Sequence, residues 1–301
     1  RAEAERRLAI LEKEKHFTGN HDLGFMMYCS FGNAYRLFGR PEDKATIDTS
    51  AASLATRFRP SIKSIQSWDS SSRFKCPVII DNMMNLELLC WASDNGADPK
   101  FKEIAITHAN TAMKNQFRPD YSSFQVVDYD LETAGIHKKT KWQGVSDSSA
   151  WSRGQGWGLY GYVTMYRFTK DPEYLKQAKG IAKFILNHPN LPEDKIPYWD
   201  FDAPKVPNEL RDASAGALIA SALLELGQYS TKKEKKQFVG AAEKMIQSLS
   251  SDKYRAKLGE NGGFLLMHSV GALPFNGEVD VPLTYTDYYF LEALLRYKKW
   301  Y

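Results

Sequence analysis

Residues 213–226 read ASAGALIASALLEL, a run that has almost no polar face. A helix formed by this run must be surrounded by protein, because none of its faces suits water. Comparable apolar stretches occupy residues 22–38, 81–93, 149–168 and 281–297. The sequence therefore predicts five buried helices.

An amphipathic stretch accompanies each buried one. Residues 98–115 and 172–186 carry apolar side chains at helical spacing, and both begin with an Asp-Pro pair typical of a helix N-terminus. Residues 1–15, 42–58 and 233–250 follow the same one-sided pattern. The alternation of buried and one-sided helices favours helical hairpins in a ring or a solenoid.

The long loops distinguish between a ring and a solenoid of hairpins. Residues 59–80, 116–146 and 187–210 form unequal, polar and aromatic connections, which suit a barrel with a cleft better than a regular solenoid. Within them, residues 124–129 alternate like a short strand.

The expected fold is an all-α (α/α)6 barrel, which has six hairpins. Because only five hairpins are visible, we expect the first one to lie upstream of Arg1. Residues 1–301 are then a single barrel-forming catalytic domain that is incomplete at its N-terminus. Without the first hairpin, the apolar flanks of the first and last buried helices, 22–38 and 281–297, would be exposed. Such a surface also predicts a possible homodimer.

Composition and motifs exclude several classes of protein. The net charge of 40 − 36 = +4 is too weak to indicate a nucleic-acid partner. The chain contains no apolar run of about 18 residues, so no membrane span is predicted. The six histidines lack HExxH spacing, the three cysteines lack CxxC spacing, and no G-x-S-x-G or phosphate-binding loop is present. We therefore expect neither a metal nor another cofactor.

Asp147 is the leading candidate for chemistry. It lies in QGVSDSSAWSRGQGW, residues 143–157. On spacing alone it could be only the N-cap of a buried helix. A cap does not require the residues that follow, which are two tryptophans, two glycines and Arg153. A carboxyl group beside an indole ring, at the mouth of a barrel from which water is partly excluded, could act as an acid.

Asp81 is the second candidate, and it too could be only a cap. It precedes the buried stretch 81–93, as Asp147 precedes 149–168. If the hairpins alternate in direction, the N-termini of the buried helices converge on one mouth, where their partial positive charge favours an anionic ligand. The two aspartates would then face each other across that mouth.

Several stretches together resemble the unsaturated glucuronyl hydrolases of glycoside hydrolase family 88. They span essentially the whole chain and comprise HDLGF (21–25), DNMMNL (81–86), RPD (118–120), residues 143–157, PYWDFD (197–202), RDASA (211–215) and EVDVPL (278–283). The segment RGQGW, residues 153–157, is the most specific of them. The family fold is an (α/α)6 barrel, which agrees with the hairpin count.

The resemblance implies removal of a 4,5-unsaturated uronic acid from the non-reducing end of lyase-generated oligosaccharides. Asp147 matches the catalytic acid/base, and Asp81 matches the second essential aspartate. A neutral Asp147 would protonate C4 of the enol ether, and water activated by the resulting carboxylate would add at C5. The hemiketal then opens and the leaving sugar departs, with no covalent glycosyl-enzyme and no metal.

The resemblance also implies substrate-binding residues. Arg211 matches a binding arginine, while His188 and Trp199 fall where the family lines its cleft. Ser269 matches the first serine of a Ser-x-x-Ser-x-Lys pattern that grips sulfate in some relatives. This chain has lost the second serine and the lysine, and Gln125 stands where relatives often have His.

Two other functions are compatible with the sequence. One is a related (α/α)6 carbohydrate enzyme, such as an unsaturated rhamnogalacturonyl hydrolase or an epimerase. The other is a non-catalytic helical-repeat binding protein. The leading hypothesis makes unsaturated uronic-acid oligosaccharides the partners, without nucleic acid or membrane. The sequence does not distinguish a periplasmic from a cytoplasmic enzyme.

Overall fold

The computed structural model describes all residues from Arg1 to Tyr301, which divide into two compact units. The first unit comprises Arg1–Gln116, Val126–Lys139 and Arg167–Thr169. The second comprises Phe117–Gln125, Thr140–Tyr166 and Lys170–Tyr301. Whether residues 1–301 act as a single catalytic domain stays a prediction.

The first unit contains six α-helices and most of the short strands. The helices are α1 (Ala2–Leu11), α2 (Leu23–Met27), α3 (Asn33–Phe38), α4 (Pro41–Ala55), α5 (Leu86–Asp94) and α6 (Lys100–Asn115). The strands are β1 (Phe58–Arg59), β2 (Ser64–Ile65), β3 (Pro77–Ile79), β4 (Val126–Tyr129) and β5 (Ile136–Thr140, whose last residue belongs to the second unit). β1 pairs with β2, and the other three form a sheet in the order β3-β4-β5. The strand expected within residues 124–129 is thus confirmed as β4.

The second unit contains the remaining helices and a hairpin. The helices are α7 (Ser152–Thr169, whose last three residues belong to the first unit), α8 (Pro172–Asn187), α9 (Ala213–Gln228), α10 (Lys232–Leu249) and α11 (Thr284–Trp300). β6 (Ser269–Ala272) pairs antiparallel with β7 (Gly277–Val281). α9 packs against both α10 and α11, and its residues from Ala213 to Gly227 are all buried. The prediction that this apolar run is surrounded by protein is confirmed.

All ten predicted helices occur, but the first buried one is interrupted. A π-turn at Tyr28–Gly32 separates α2 from α3. Here the Ser30 hydroxyl donates to the Met26 carbonyl at 2.6 Å, and the side-chain amide of Asn33 donates to the Cys29 carbonyl at 3.0 Å. Side chains that bond to carbonyls of the preceding turn compete with the helical ladder, which accounts for the interruption.

Three buried helices begin later than expected: α5, α7 and α11, the last at Thr284 rather than at residue 281. Residues 80–85 form a 3-10 helix, so α5 starts at Leu86, and α7 starts at Ser152. In the first case, the Asn82 side chain donates to the Ile65 carbonyl at 2.6 Å and holds the tighter turn. These shifts matter for function, because they place Asp81 and Asp147 ahead of the α-helices rather than on their caps.

No helix has both the length and the hydropathy needed to cross a membrane. The cysteines are free thiols; Cys76 and Cys90 are buried, and Cys29 is partly exposed. Burial raises the pKa of Cys76 to about 11 and that of Cys90 to about 12. Both therefore remain neutral thiols at physiological pH.

We expect buried His108 to make the stability of the protein depend on pH. Its side chain is fully buried, and Nδ1 accepts a hydrogen bond from the Ile65 amide at 3.1 Å. Burial, assisted by the charge of His21, lowers the pKa of His108 from 6.5 to about 3. The unfolded chain therefore takes up a proton near pH 6.5 that the folded chain does not.

We expect the free energy of unfolding contributed by His108 to be fully present above pH 6.5 and to fall as the pH drops toward 3. One such group gives a slope of up to about 1.4 kcal/mol per pH unit. His108→Asn, whose amide oxygen can accept from Ile65, should show a shallower slope in urea titrations between pH 4 and 6.5. Equal slopes for wild type and variant would contradict the assignment, whatever the variant's absolute stability.

Candidate active site

Asp147 lies in the loop before α7 and does not cap that helix. The N-cap of α7 is Trp151. The Asp147 carboxylate instead accepts hydrogen bonds through Oδ1 from the Thr140 hydroxyl at 2.7 Å and the Lys141 amide at 2.9 Å. The capping interpretation is therefore wrong for this residue. The side chain is also exposed, which differs from the partly dry mouth expected from the sequence.

A buried carboxylate, that of Asp200, fixes the loop on both sides of Asp147. Asp200 is 0% exposed, and its Oδ2 accepts from the Val145 amide at 2.9 Å and the Ser149 hydroxyl at 2.8 Å. A β-bridge between Asp200 and Trp151 holds it at the start of α7. Burial raises the pKa of Asp200.

Two further side chains hold the same loop. Asp202 accepts from the Ala150 amide at 3.0 Å. On the other side, Arg118 donates through Nη2 to the Asp147 carbonyl at 2.8 Å. Charged groups thus hold the loop backbone at Val145, Asp147 and Ala150. Such bonds are stronger than neutral ones, so the position of the Asp147 carboxylate is defined before any ligand binds.

Gln125 orders the segment that leads into the loop. Its Oε1 accepts from the Trp142 amide at 2.9 Å and the Gln143 amide at 2.6 Å. Its Nε2 donates to Gln143 Oε1 at 2.7 Å. Gln125 therefore satisfies a tight turn next to Lys141, the backbone donor to Asp147.

Arg153, the charged member of RGQGW, is buried and joins three segments. Its guanidinium pairs with Asp212 Oδ2 at 3.2 Å and donates to Ser214 Oγ at 3.2 Å and to the Gly271 carbonyl at 2.7 Å. It also lies over the rings of Trp151 and Tyr285. These contacts connect α7 to the beginning of α9 and to β6, so Arg153 holds the three elements together.

The expected binding arginine, Arg211, is occupied within the protein. Its guanidinium forms an ion pair with Asp194, and its Nε donates to the Ile196 carbonyl at 2.9 Å. Its guanidinium also lies 5.0 Å from the Tyr198 ring centroid. The fixed positive charge is therefore neutralised by Asp194 in this structure.

His188, Trp199 and Ser269 also lie in the second unit, and the last two are inaccessible. Trp199 is 6% exposed and donates through Nε1 to Glu209 Oε2 at 3.2 Å. Ser269 is 0% exposed, and its hydroxyl shares a 2.8 Å hydrogen bond with Thr286. His188 is half-buried beside Phe201, and burial lowers its pKa.

Asp81 belongs to the first unit, where it is half-buried on the 3-10 turn between β3 and α5. The N-cap of α5 is Asn85, so Asp81 does not cap that helix either. Asn85 Oδ1 accepts from the Phe25 amide at 2.7 Å, which anchors the end of the turn. The capping interpretation is thus wrong for both aspartates.

The sequence missed the residues that hold the Asp147 loop. In the sequence, Asp200 and Asp202 stand out only as part of the stretch PYWDFD (197–202), and Thr140 does not stand out at all. Nothing local reveals them, because Asp200 bonds to a residue 55 positions away. Nowhere in the chain do three or more His, Cys, Asp or Glu side chains group so that they could hold a metal ion.

No protein-family model matches the chain, but individual relatives do. It is 45% identical over 291 residues to an unsaturated glucuronyl hydrolase of Formosa agariphila, covering 95% of this chain and 72% of the relative. It is 34% identical over 285 residues to an unsaturated chondroitin disaccharide hydrolase of Streptococcus pyogenes serotype M1, covering 93% and 71%.

Solved structures agree with these relatives. A crystal structure of an unsaturated glucuronyl hydrolase specific for heparin matches with a TM-score of 0.96 and 48% identity, covering 99% of this chain and 80% of that one. The enzyme from Bacillus sp. GL1 matches with a TM-score of 0.92 and 29% identity, covering 98% and 80%. These structures are (α/α)6 barrels, so the predicted fold class is confirmed.

Proposed function

Because the chain belongs to the unsaturated glucuronyl hydrolases, glycoside hydrolase family 88, we propose that it removes a 4,5-unsaturated glucuronic acid from the non-reducing end of oligosaccharides released by polysaccharide lyases. The reaction is hydration of the enol ether double bond. The alternatives, a rhamnogalacturonyl hydrolase or a non-catalytic binding protein, have no support among the relatives.

One observation carries the proposed mechanism. The Asp147 carboxylate is held in place through Oδ1 by Thr140 and Lys141. The side chain is also exposed, so a ligand can reach a carboxyl group whose position is already fixed, as an acid/base group requires. In the proposal, a substrate covering the exposed side chain removes water and favours its neutral form. The acid then gives its proton to C4, and the carboxylate so formed takes a proton from the water that adds at C5.

The hydration product is a hemiketal at C5. It opens by breaking the bond between C5 and the ring oxygen, which leaves a ketone at C5 and a hemiacetal at C1. The hemiacetal then breaks its C1–O bond to the leaving sugar, which departs as an alcohol and leaves an aldehyde. Asp147 returns to its starting state after each cycle, because it gives one proton and takes one back. No covalent sugar intermediate is needed, so the spacing of two carboxylates does not set the stereochemistry as it does in the standard glycosidases.

Asp81 is proposed to orient the substrate rather than to exchange protons. Arg211, His188, Trp199 and Ser269 are proposed to support the binding site. For Arg211, Trp199 and Ser269 we propose that the support acts through packing and hydrogen bonds within the protein, since each is engaged by another residue.

The substrate class follows from the relatives. One relative is an unsaturated chondroitin disaccharide hydrolase, and one solved structure is of an enzyme specific for heparin. We propose that this chain acts on unsaturated disaccharides from glycosaminoglycan lyases, with the heparin product first because the heparin-specific structure is 48% identical.

The test uses the ultraviolet absorbance of the conjugated double bond, which disappears on hydration. The protein is incubated in parallel with the unsaturated products of chondroitin, heparin, ulvan and pectin lyases. Loss of absorbance with a glycosaminoglycan product supports the proposal. Loss only with rhamnogalacturonan products would replace it with the related hydrolase, and no loss with any product would favour a binding protein.

Asp81→Asn should lower kcat/KM for the preferred disaccharide by roughly 10- to 100-fold, the effect of losing a hydrogen bond to a charged group. Asp98→Asn is the matched control in the same unit: Asp98 Oδ1 accepts from the Lys100 amide at 2.9 Å at the start of α6. That variant should keep normal activity. Normal activity of Asp81→Asn with an unshifted pH–rate profile would return Asp81 to a purely structural role.

A further inference from the structure

Two aromatic rings lie together on the surface of the second unit. The ring centroids of Trp142 and Phe275 are 4.6 Å apart, with the planes inclined by 44°. Phe275 is 47% exposed, and Trp142 is partly exposed. Solvent-exposed aromatic rings are costly to keep in water, and exposed apolar patches commonly mark sites of recognition.

The two rings are carried by backbone segments that are fixed to each other. The Trp142 amide donates to Gln125 Oε1. The next residue, Gln143, donates through Nε2 to the Gly271 carbonyl at 2.9 Å. Phe275 ends the short 3-10 turn that follows β6. The pair is therefore preorganised, which reduces the entropy lost when a ligand binds.

The pair lies close to the proposed acid/base. Lys141, which immediately precedes Trp142, donates its amide to Asp147 Oδ1 at 2.9 Å. Consecutive Cα atoms are about 3.8 Å apart. A pyranose ring packed on Trp142 and Phe275 would therefore belong to a sugar next to the one whose double bond reaches Asp147.

The chemistry of the Phe275 segment suits the C–H face of a sugar and not an anion. Residues 269–275 read SVGALPF and contain no cation. The Ser269 hydroxyl is buried against Thr286. In addition, the Glu278 carboxylate lies beside this segment, since a Cβ placed on Gly271 would be 2.3 Å from Glu278 Oε2. Arg153, the cation that bonds to this segment, is already paired with Asp212, so a sulfate here would meet a negative charge and no available positive one.

We propose that Trp142 and Phe275 form a binding site for the pyranose ring of the leaving sugar, recognising its apolar face without a sulfate contact at this position. This assignment rests on the proposed function. It makes Trp142 and Phe275 specificity-determining residues, since they contact the part of the substrate that differs between lyase products.

The test compares two substrates that share the same double bond. One is an unsulfated unsaturated disaccharide, and the other is the methyl glycoside of 4,5-unsaturated glucuronic acid, which has no second sugar. Trp142→Ala and Phe275→Ala should each lower kcat/KM for the disaccharide by about tenfold, the size of an aromatic packing contact. Neither should change kcat/KM for the methyl glycoside. Trp142→Phe and Phe275→Tyr should retain most of the activity.

Phe38→Ala is the matched control, because Phe38 is a similarly exposed phenyl ring, at 40%, in the first unit. It should leave both substrates unaffected. Unchanged disaccharide kinetics in both Ala variants would overturn the assignment, and so would equal losses on both substrates, which would mean that the rings only support the Asp147 loop. If the wild type hydrolyses neither substrate, the proposed function itself fails.

Discussion

Asp147→Asn is expected to lower kcat for unsaturated disaccharides by about 10²–10⁴-fold, the usual contribution of general acid–base catalysis. The amide cannot donate an acidic proton to C4. The fold should survive, because the asparagine Oδ1 can still accept from Thr140 and Lys141, which hold the aspartate at 2.7 and 2.9 Å. The measurement is the rate of absorbance loss at saturating substrate, together with the thermal unfolding midpoint.

Asp252→Asn supplies the matched control, since the Asp252 side chain is 94% exposed in the same unit. It removes the same charge and should leave kcat unchanged. An Asp147→Asn variant that keeps more than roughly a tenth of the wild-type rate, a smaller loss than that kind of catalysis allows, would remove Asp147 from the acid/base role. A large loss of unfolding temperature would instead point to a structural role.

The fold was predictable because its signals are local. The run at 213–226 has no polar face, and α9 has the burial that this requires. The Asp171-Pro172 pair marks the start of α8, where the Asp171 carboxylate accepts from the Glu173 amide. Such periodicities and caps are written within a few residues, so they can be read without the tertiary structure.

Helix starts near the candidate site were harder to predict, because long-range bonds set them. Apolar character begins at residue 149, but α7 starts only at Ser152. The Ser149 hydroxyl donates to Asp200 and the Ala150 amide donates to Asp202, instead of continuing the helix. Sequence periodicity carries no information about such partners, so it places the helix too early and makes Asp147 resemble a cap.

The candidate site likewise has a part that the sequence predicts and a part that only long-range contacts determine. The Asp147 motif was recognisable as a run of residue types, but the engagement of Arg211 by Asp194 and of Ser269 by Thr286 was not. A residue type at a family position predicts which side chain is present. Whether that side chain is available to a ligand depends on neighbours that only the folded chain brings together.

Arg153 gives the second large effect, and here the expected loss is in stability. Its side chain is 3% exposed and that of Asp212 is 0% exposed. Arg153→Leu removes the positive partner of the buried Asp212 carboxylate. It also removes the hydrogen-bond donor to the carbonyls of Val270 and Gly271. Breaking a buried ion pair in this way costs about 3–5 kcal/mol. The free energy of unfolding from urea titration is the measurement.

Two further variants separate this explanation from a general effect of losing an arginine. Arg255→Leu removes an exposed pair with Asp252, 3.6 Å apart, and should cost at most about 1 kcal/mol. Adding Asp212→Asn to Arg153→Leu should recover part of the loss, because it removes the uncompensated charge, although Asp212 also accepts from Ser214 at the start of α9. If Arg153→Leu does not accumulate as folded protein, Arg153→Lys keeps the charge without the planar fork and should be intermediate.

The two large effects should also differ in kind. Arg153 holds the start of α7, the start of α9 and β6 together, so its loss should lower the unfolding midpoint first and reduce activity only as the folded fraction falls. Asp147→Asn should reduce activity at an unchanged midpoint. An Arg153→Lys variant with wild-type stability and a large fall in kcat would contradict the structural role and place the guanidinium at the reacting sugar. RGQGW would then be a catalytic motif, rather than the sequence that secures the barrel helix behind the Asp147 loop.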